Sequence, residues 1–205
     1  MSAAEHHPTK IIDPYFRLRQ KPWRTHDTQG ALAVVLTPFV LETYRDSAEW
    51  DAVHGLALQL LSSLNDAATL GRIVLANRPH GSSAEVQEAV RPSAEALGFR
   101  SEQRGLFADS IPGLRPDYFR ALNETGILLE VERGKTTTNN MDLLDFWKCH
   151  ICKHADYLFL LVPNALQHND GMTPKKEYAV VARRLGQFFS PGKYTNVRGL
   201  CLYGY

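Results

Sequence analysis

Apolar positions recur at three- and four-residue intervals from Trp50 through Val53, Leu56, Leu60 and Leu64, with Ala57 and Leu61 beside them. That period lines one face of a helix, and Asp46-Ser47 supplies a start, so an amphipathic helix ending near Asn65 is expected. Arg72 to Ala76 is short and apolar and reads as a strand. Ser82 or Ser83 caps a helix that runs to Ala96 and is closed by Leu97-Gly98. Phe99 to Ala108 reads as a further strand. Leu114 to Phe119 and Ile127 to Glu132 flank the turn-forming Asn123-Glu124-Thr125-Gly126, the pattern of a hairpin. Leu144, Trp147 and Ile151 give helical spacing over Met141 to His154, with Asn139 or Asn140 as cap. Tyr157 to Val162 shows no alternation, as in a strand buried on both faces. A helix from about Pro174 to Phe189 and a strand near Val197 to Tyr203 complete the chain.

The chain has 205 residues, 44% of them hydrophobic, enough to bury one sizeable core. Residues 1–30 are expected to form a basic extended arm and residues 31–205 a single domain. The arm carries Lys10, Arg17, Arg19, Lys21 and Arg24 with Tyr15, Phe16 and Trp23 interleaved. Such a segment can wrap over a core through its aromatics or contact a nucleic acid strand. No apolar stretch approaches the roughly 20 residues needed to span a bilayer, and the N-terminus lacks the basic start and apolar run of a secretory signal. Three cysteines are too few for a disulfide framework. A cytoplasmic protein is expected. Lys and Arg number 23 against 22 Asp and Glu, so any nucleic-acid contact must come from local basic clusters.

The candidate chemistry lies in the hairpin. Glu130 and Glu132 share one face of a strand because side chains alternate with period two. With a two- or four-residue loop, odd positions of the first strand oppose even positions of the second, and the loop bounded by Asn123 and Gly126 sets Asp117 opposite Glu132 on that face. Directly opposed Cβ atoms lie about 5 Å apart. Three ionised carboxylates so close repel one another unless a cation intervenes. Mg²⁺ suits oxygen ligands and commonly binds through one or two carboxylates, waters and a substrate phosphate. Ile127, Leu128 and Leu129 put apolar groups on both faces just before the acids, which argues for a central strand whose carboxylates emerge at its end.

Pro116-Asp117 followed by Glu130-Val131-Glu132, a helix and a buried strand resembles the restriction-endonuclease-like PD-(D/E)xK nuclease superfamily. The resemblance spans roughly residues 83 to 162. It implies an α/β fold with a central mixed β-sheet flanked by helices, in the order α-β-β-β-α-β. It further implies a Mg²⁺-dependent endodeoxyribonuclease, with Mn²⁺ able to substitute, acting on DNA, in some members as a sequence-specific restriction enzyme. Asp117 and Glu130 match the metal-binding acids. Glu132 stands where the family usually has lysine, although some restriction members carry Glu there. Lys148, on the following helix, is favoured over Lys135 as the missing cation. Glu49, on the first long helix, is a candidate further metal ligand. A homodimer would match a palindromic target. The alternative function is a non-catalytic nucleic-acid-binding module with a degenerate site. Cys149 and Cys152, spaced as half a zinc site, have no clear second ligand pair, and zinc is not expected.

Overall fold

Ser47 caps the first long helix by accepting the Trp50 N–H through its hydroxyl, and α1 then runs Ala48–Leu64. Its buried residues, Trp50, Val53, Ala57, Leu60 and Leu64, are the predicted stripe. α3 (Ser83–Ala96) opens on a reciprocal capping box between Ser82 and Glu85 and ends before Gly98, whose φ of 80° is left-handed. Between them lies α2 (Ala67–Ala76), which replaces the strand expected at Arg72 to Ala76. Asp66 accepts the Ala68 and Thr69 amides, and Thr69, Ile73 and Ala76 are buried at helical spacing. Leu75 is 68% exposed, so the apolar run was no sign of burial on both faces.

This computed structural model describes residues 33–101, 105–107, 111, 114–167 and 171–205. The expected basic arm, residues 1–30, lies outside the described residues. The strands are β1 (Val35–Val40), β2 (Arg100–Ser101), β3 (Tyr118–Leu122), β4 (Thr125–Val131), β5 (Tyr157–Val162) and β6 (Gly199–Gly204). The remaining helices are α4 (Met141–Ile151) and α5 (Glu177–Gly186). The strands form one mixed sheet in the order β1-β6-β5-β4-β3-β2, with β4, β5 and β6 parallel and the other pairs antiparallel. The fold is α/β, and α3-β2-β3-β4-α4-β5 is the order implied by the resemblance.

β1, which has no place among the sequence expectations, is an edge strand, where the missing N–H of Pro38 is tolerated. Among the described residues of the segment expected as a strand over Phe99 to Ala108, Arg100 and Ser101 pair with β3. Asn140 occupies the N-cap position of α4, but in the left-handed region and without a side-chain cap bond. Its Oδ1 instead accepts from Arg184, 2.6 Å away.

Alternation sorts the sheet into two faces. Ile127, Leu129, Val131, Tyr157, Phe159 and Leu161 pack in one core with residues of α1, α2 and α3. Leu128, Leu158, Leu160 and Val162 pack in the other with residues of α4 and α5. Glu130 has the parity of Leu128, so its carboxylate faces α4. The β3–β4 hairpin turns through Asn123, whose φ of 49° Asn tolerates, and pairs Leu122 with Thr125. At Gly126 the backbone passes so near its neighbours that a Cβ would lie 2.6 Å from the His154 carbonyl and run into the Phe119 ring. Gly126→Ala should therefore cost about 1 to 3 kcal/mol, the usual penalty of overpacking. Urea unfolding checks this, and an unchanged midpoint would refute it.

Candidate active site

The acidic cluster sits where β4 leaves the sheet. Observed pairing sets Tyr118 opposite Leu129, so Asp117 falls opposite Glu130, two residues from the expected partner Glu132. The turn is one residue earlier on each strand than the sequence suggested. Parity survives that shift, and Asp117 stays on the side of the acids. Two reciprocal bonds fix the pair: the Val131 N–H donates to Asp117 Oδ2 at 2.8 Å, and the Asp117 N–H donates to Glu130 Oε2 at 3.2 Å. Glu132 follows directly after β4, its N–H donating to the Leu161 carbonyl at 2.9 Å and its carbonyl accepting from the Tyr205 hydroxyl at 2.7 Å.

α4 supplies the cation. Lys148 Nζ lies 3.0 Å from Glu130 Oε1 and 2.8 Å from Asp145 Oδ1. Glu130, Asp145 and Lys148 are 1%, 0% and 8% exposed. Asp145 is not among the residues the sequence singles out, because the apolar spacing of Leu144, Trp147 and Ile151 marks another face of α4, whereas the structure exposes Leu144 and Trp147 and buries Asp145 and Lys148. Glu49 is not brought to the cluster. It accepts from Tyr157 Oη at 2.5 Å and from Arg198 at 2.8 Å, on α1 against the opposite face of the sheet and at the other end of β5. As Tyr157 pairs with Ile127, that is about 10 Å along the strands from Glu130. Glu49 is therefore withdrawn as a ligand of this site. Lys135 is exposed, with a left-handed φ of 62°. The Cys149 thiol is buried and lies 3.9 Å from the Ala155 carbonyl.

Four carboxylates thus face one ammonium. Burial, joined by Asp145 and Asp117, pushes Glu132 up to about 8. Burial likewise raises Glu130 well above the usual carboxylate range, with Asp145 and Asp117 adding to it and Lys148 opposing. Asp117 and Asp145 are raised by burial too, against the pull of Lys148; the Val131 amide and Gln87 also hold Asp117 down. Burial disfavours the charge on Lys148, but Glu130 and Asp145 outweigh it and hold the ammonium above its ordinary range. The ion pair leaves both Asp145 oxygens without an aligned hydrogen-bond donor. Such a surplus of buried anionic oxygen suits a proton or a hard cation. Among the described residues, no three His, Cys, Asp or Glu side chains are arranged to hold a metal ion by themselves. Magnesium's habit of one or two carboxylates completed by water and phosphate fits this donor chemistry without such a cage.

No protein-family model matches the chain, and no curated protein does. Among solved structures, the crystal structure of restriction endonuclease BglII complexed with a DNA 16-mer is similar in fold. It matches over 84% of this chain and 76% of that chain, at 8% sequence identity and a TM-score of 0.46. Among the described residues, no helix is long and apolar enough to cross a membrane.

Proposed function

We propose that this chain is a divalent-cation-dependent phosphodiesterase that cleaves DNA, with Asp117, Glu130 and Glu132 as its acidic group and Lys148 as its lysine. The observation that carries this reading is the excess of buried carboxylate over ammonium at the end of β4, where four acids surround one lysine. Asp117 and Glu130, braced against each other through backbone amides, are the residues that would hold Mg²⁺ or Mn²⁺. Bound there, the ion would lower the pKa of an attacking water and stabilise charge on the leaving oxygen. Glu132, which holds its proton up to about 8 in the metal-free protein, would ionise beside a bound cation and could then take the water's proton as the phosphorus–oxygen bond to the leaving sugar breaks. Lys148, kept charged by its two acids, presents positive charge beside the place where the phosphate becomes more negative.

One observation favours a second reading: Lys148 already bridges Glu130 and Asp145, as a scaffold ion pair in a non-catalytic DNA-binding module would. Incubation of the full chain with supercoiled DNA, with Mg²⁺ or with chelator, separates the two. Cutting that requires Mg²⁺ is expected. A mobility shift without cutting, equal under both conditions, would establish the binding module, and neither effect would refute both readings. The arm of residues 1–30 belongs to the same proposal. Its removal should lower DNA affinity and flatten the salt dependence, since each lost phosphate contact reduces the slope by about one.

A further inference from the structure

We propose that Asp145 is the positioning residue of this site. It anchors the Lys148 ammonium from one turn away on α4, so that the lysine stays beside Glu130 when a cation engages that carboxylate. The inference rests on the metal-site reading above and deepens it.

Asp145 has no other evident task. It lies in the middle of α4, too far from the helix start to cap it, and a fully buried acid there is unfavourable unless something compensates it. Its near partners are Lys148 Nζ at 2.8 Å and the neighbouring Glu132 carboxyl. Residues three apart on a helix share a face, so Asp145 and Lys148 move as one unit with α4. Glu130 belongs to the sheet and has both oxygens engaged, Oε1 by Lys148 and Oε2 by the Asp117 N–H. Glu130 would hold a cation only beside Lys148, whose ammonium such an ion would repel. Held by Glu130 alone, the flexible lysine stem would swing away and its charge would be lost to the site. With a second anion on its own helix, the ammonium can loosen its contact with Glu130 and remain within reach. The exchange also removes the need to bury a cation next to an untethered ammonium. Asp145 thus acts through Lys148 and is not itself a ligand.

Side-chain ammonium spectra of ¹⁵N-labelled full-length protein test this without metal or DNA. A slowly exchanging Lys148 signal, assigned by its absence in Lys148→Met, is expected in the wild type and should broaden beyond detection in Asp145→Asn. Asp145→Glu, which keeps the charge, should retain part of it and covers the case in which the Asn variant fails to fold. An unchanged Lys148 signal in Asp145→Asn, or a signal lost equally in the folded Glu variant, overturns the proposal.

Calorimetric titration with Mg²⁺ supplies the second arm. Lys148→Met should bind the ion more tightly than wild type while failing to cut DNA. Asp145→Asn, which lets the ammonium leave the site, should take up Mg²⁺ at least as tightly as wild type yet cut DNA about 10- to 100-fold more slowly, the range for groups that orient a working residue. Its effect on uptake should largely vanish when Lys148→Met is already present. If Asp145→Asn abolishes uptake even in that background, Asp145 is a direct ligand and the proposal is wrong. If the wild type takes up no Mg²⁺ yet Asp145 governs the Lys148 signal, the positioning stands and the metal reading falls.

Discussion

Asp117→Asn and Glu130→Gln should each reduce Mg²⁺-supported DNA cleavage by more than about 100-fold, beyond what loss of a supporting partner usually costs. Neither should unfold the protein. Both substitutions keep the shape of the side chain while removing a hard anionic oxygen, and both remove charge from a place where burial and neighbouring acids already resist it. An Asn at position 117 can still accept the Val131 N–H through its carbonyl oxygen, and a Gln at position 130 can still accept the Asp117 N–H. The metal-free variants should therefore melt at the wild-type temperature or slightly above it. Stability separates a working site from a scaffold: residues that only held the fold would lose activity by unfolding. Thermal scans with and without Mg²⁺ give the decisive comparison, in which the wild type gains a metal-dependent shift and the variants do not. Wild-type cleavage rates in both variants would end the proposed function, as would a Mg²⁺ shift that both retain.

How much of this was legible in the chain depends on whether the signal was local. The serine cap at Ser82 or Ser83, the stripe on α1 and the unbroken apolar run of β5 are short-range patterns, and each became the element it suggested. Arg72 to Ala76 misled because an apolar run of five residues is equally a strand or a turn and a half of helix. The arbiter was the Asp66 cap upstream, which binds two amides of α2. β1 gained its place from pairing with β6 at the far end of the chain, which no local pattern announces, and Pro38 argues against a strand unless the strand is known to lie at an edge. The hairpin register slipped by two residues because the turn-forming stretch allows more than one loop. A slip of two preserves the face, which is why Asp117 and Glu130 still meet.

The acids of β4 could be read from parity, whereas Asp145 could not. Its role depends on how α4 docks across the sheet, and an acid between Leu144 and Phe146 looks like an ordinary helical charge until the helix is placed. Lys148 was reachable only by asking which downstream lysine could stand in for the one that Glu132 displaces. Glu49 failed for the complementary reason. On a helix its charge could be assigned to any nearby site, but α1 packs on the other face, and Arg198 and Tyr157 claim the carboxylate there.

The stability of the metal-free protein should fall as pH rises from about 5 to about 8, the reverse of what salt-bridged acids usually produce. Glu132 ionises near its ordinary 4.5 when unfolded but only at about 8 when folded. A group with a raised folded pKa contributes stability that is complete below the unfolded value and is lost on the way up through the folded one. Its contribution is therefore whole at pH 4, declines across the window and is flat above pH 8. Glu130, Asp117 and Asp145 are shifted in the same direction and steepen the decline. Lys148 is also raised, but its contribution persists until the pH passes the ordinary lysine range, so it does not alter this window. Glu49 is lowered, although burial opposes the shift, because Tyr157 and Arg198 favour its charged form; its contribution is lost below the window, which leaves a maximum near pH 5. At about 1.4 kcal/mol per pKa unit, and with the protons shared among coupled acids, the loss should amount to a few kcal/mol. For a chain of this size that is on the order of 10 °C in Tm. Glu132→Gln should flatten the decline and be more stable than wild type at pH 8. Mg²⁺ should restore stability at pH 8 far more than at pH 5, because it binds the ionised carboxylates and only the folded state gathers them. Thermal scans at pH 5, 6.5 and 8, with chelator and with Mg²⁺, test all three statements. Wild-type stability that rises across the window, or a Glu132→Gln variant with the wild-type slope, would show that the buried acids do not carry the strain described here.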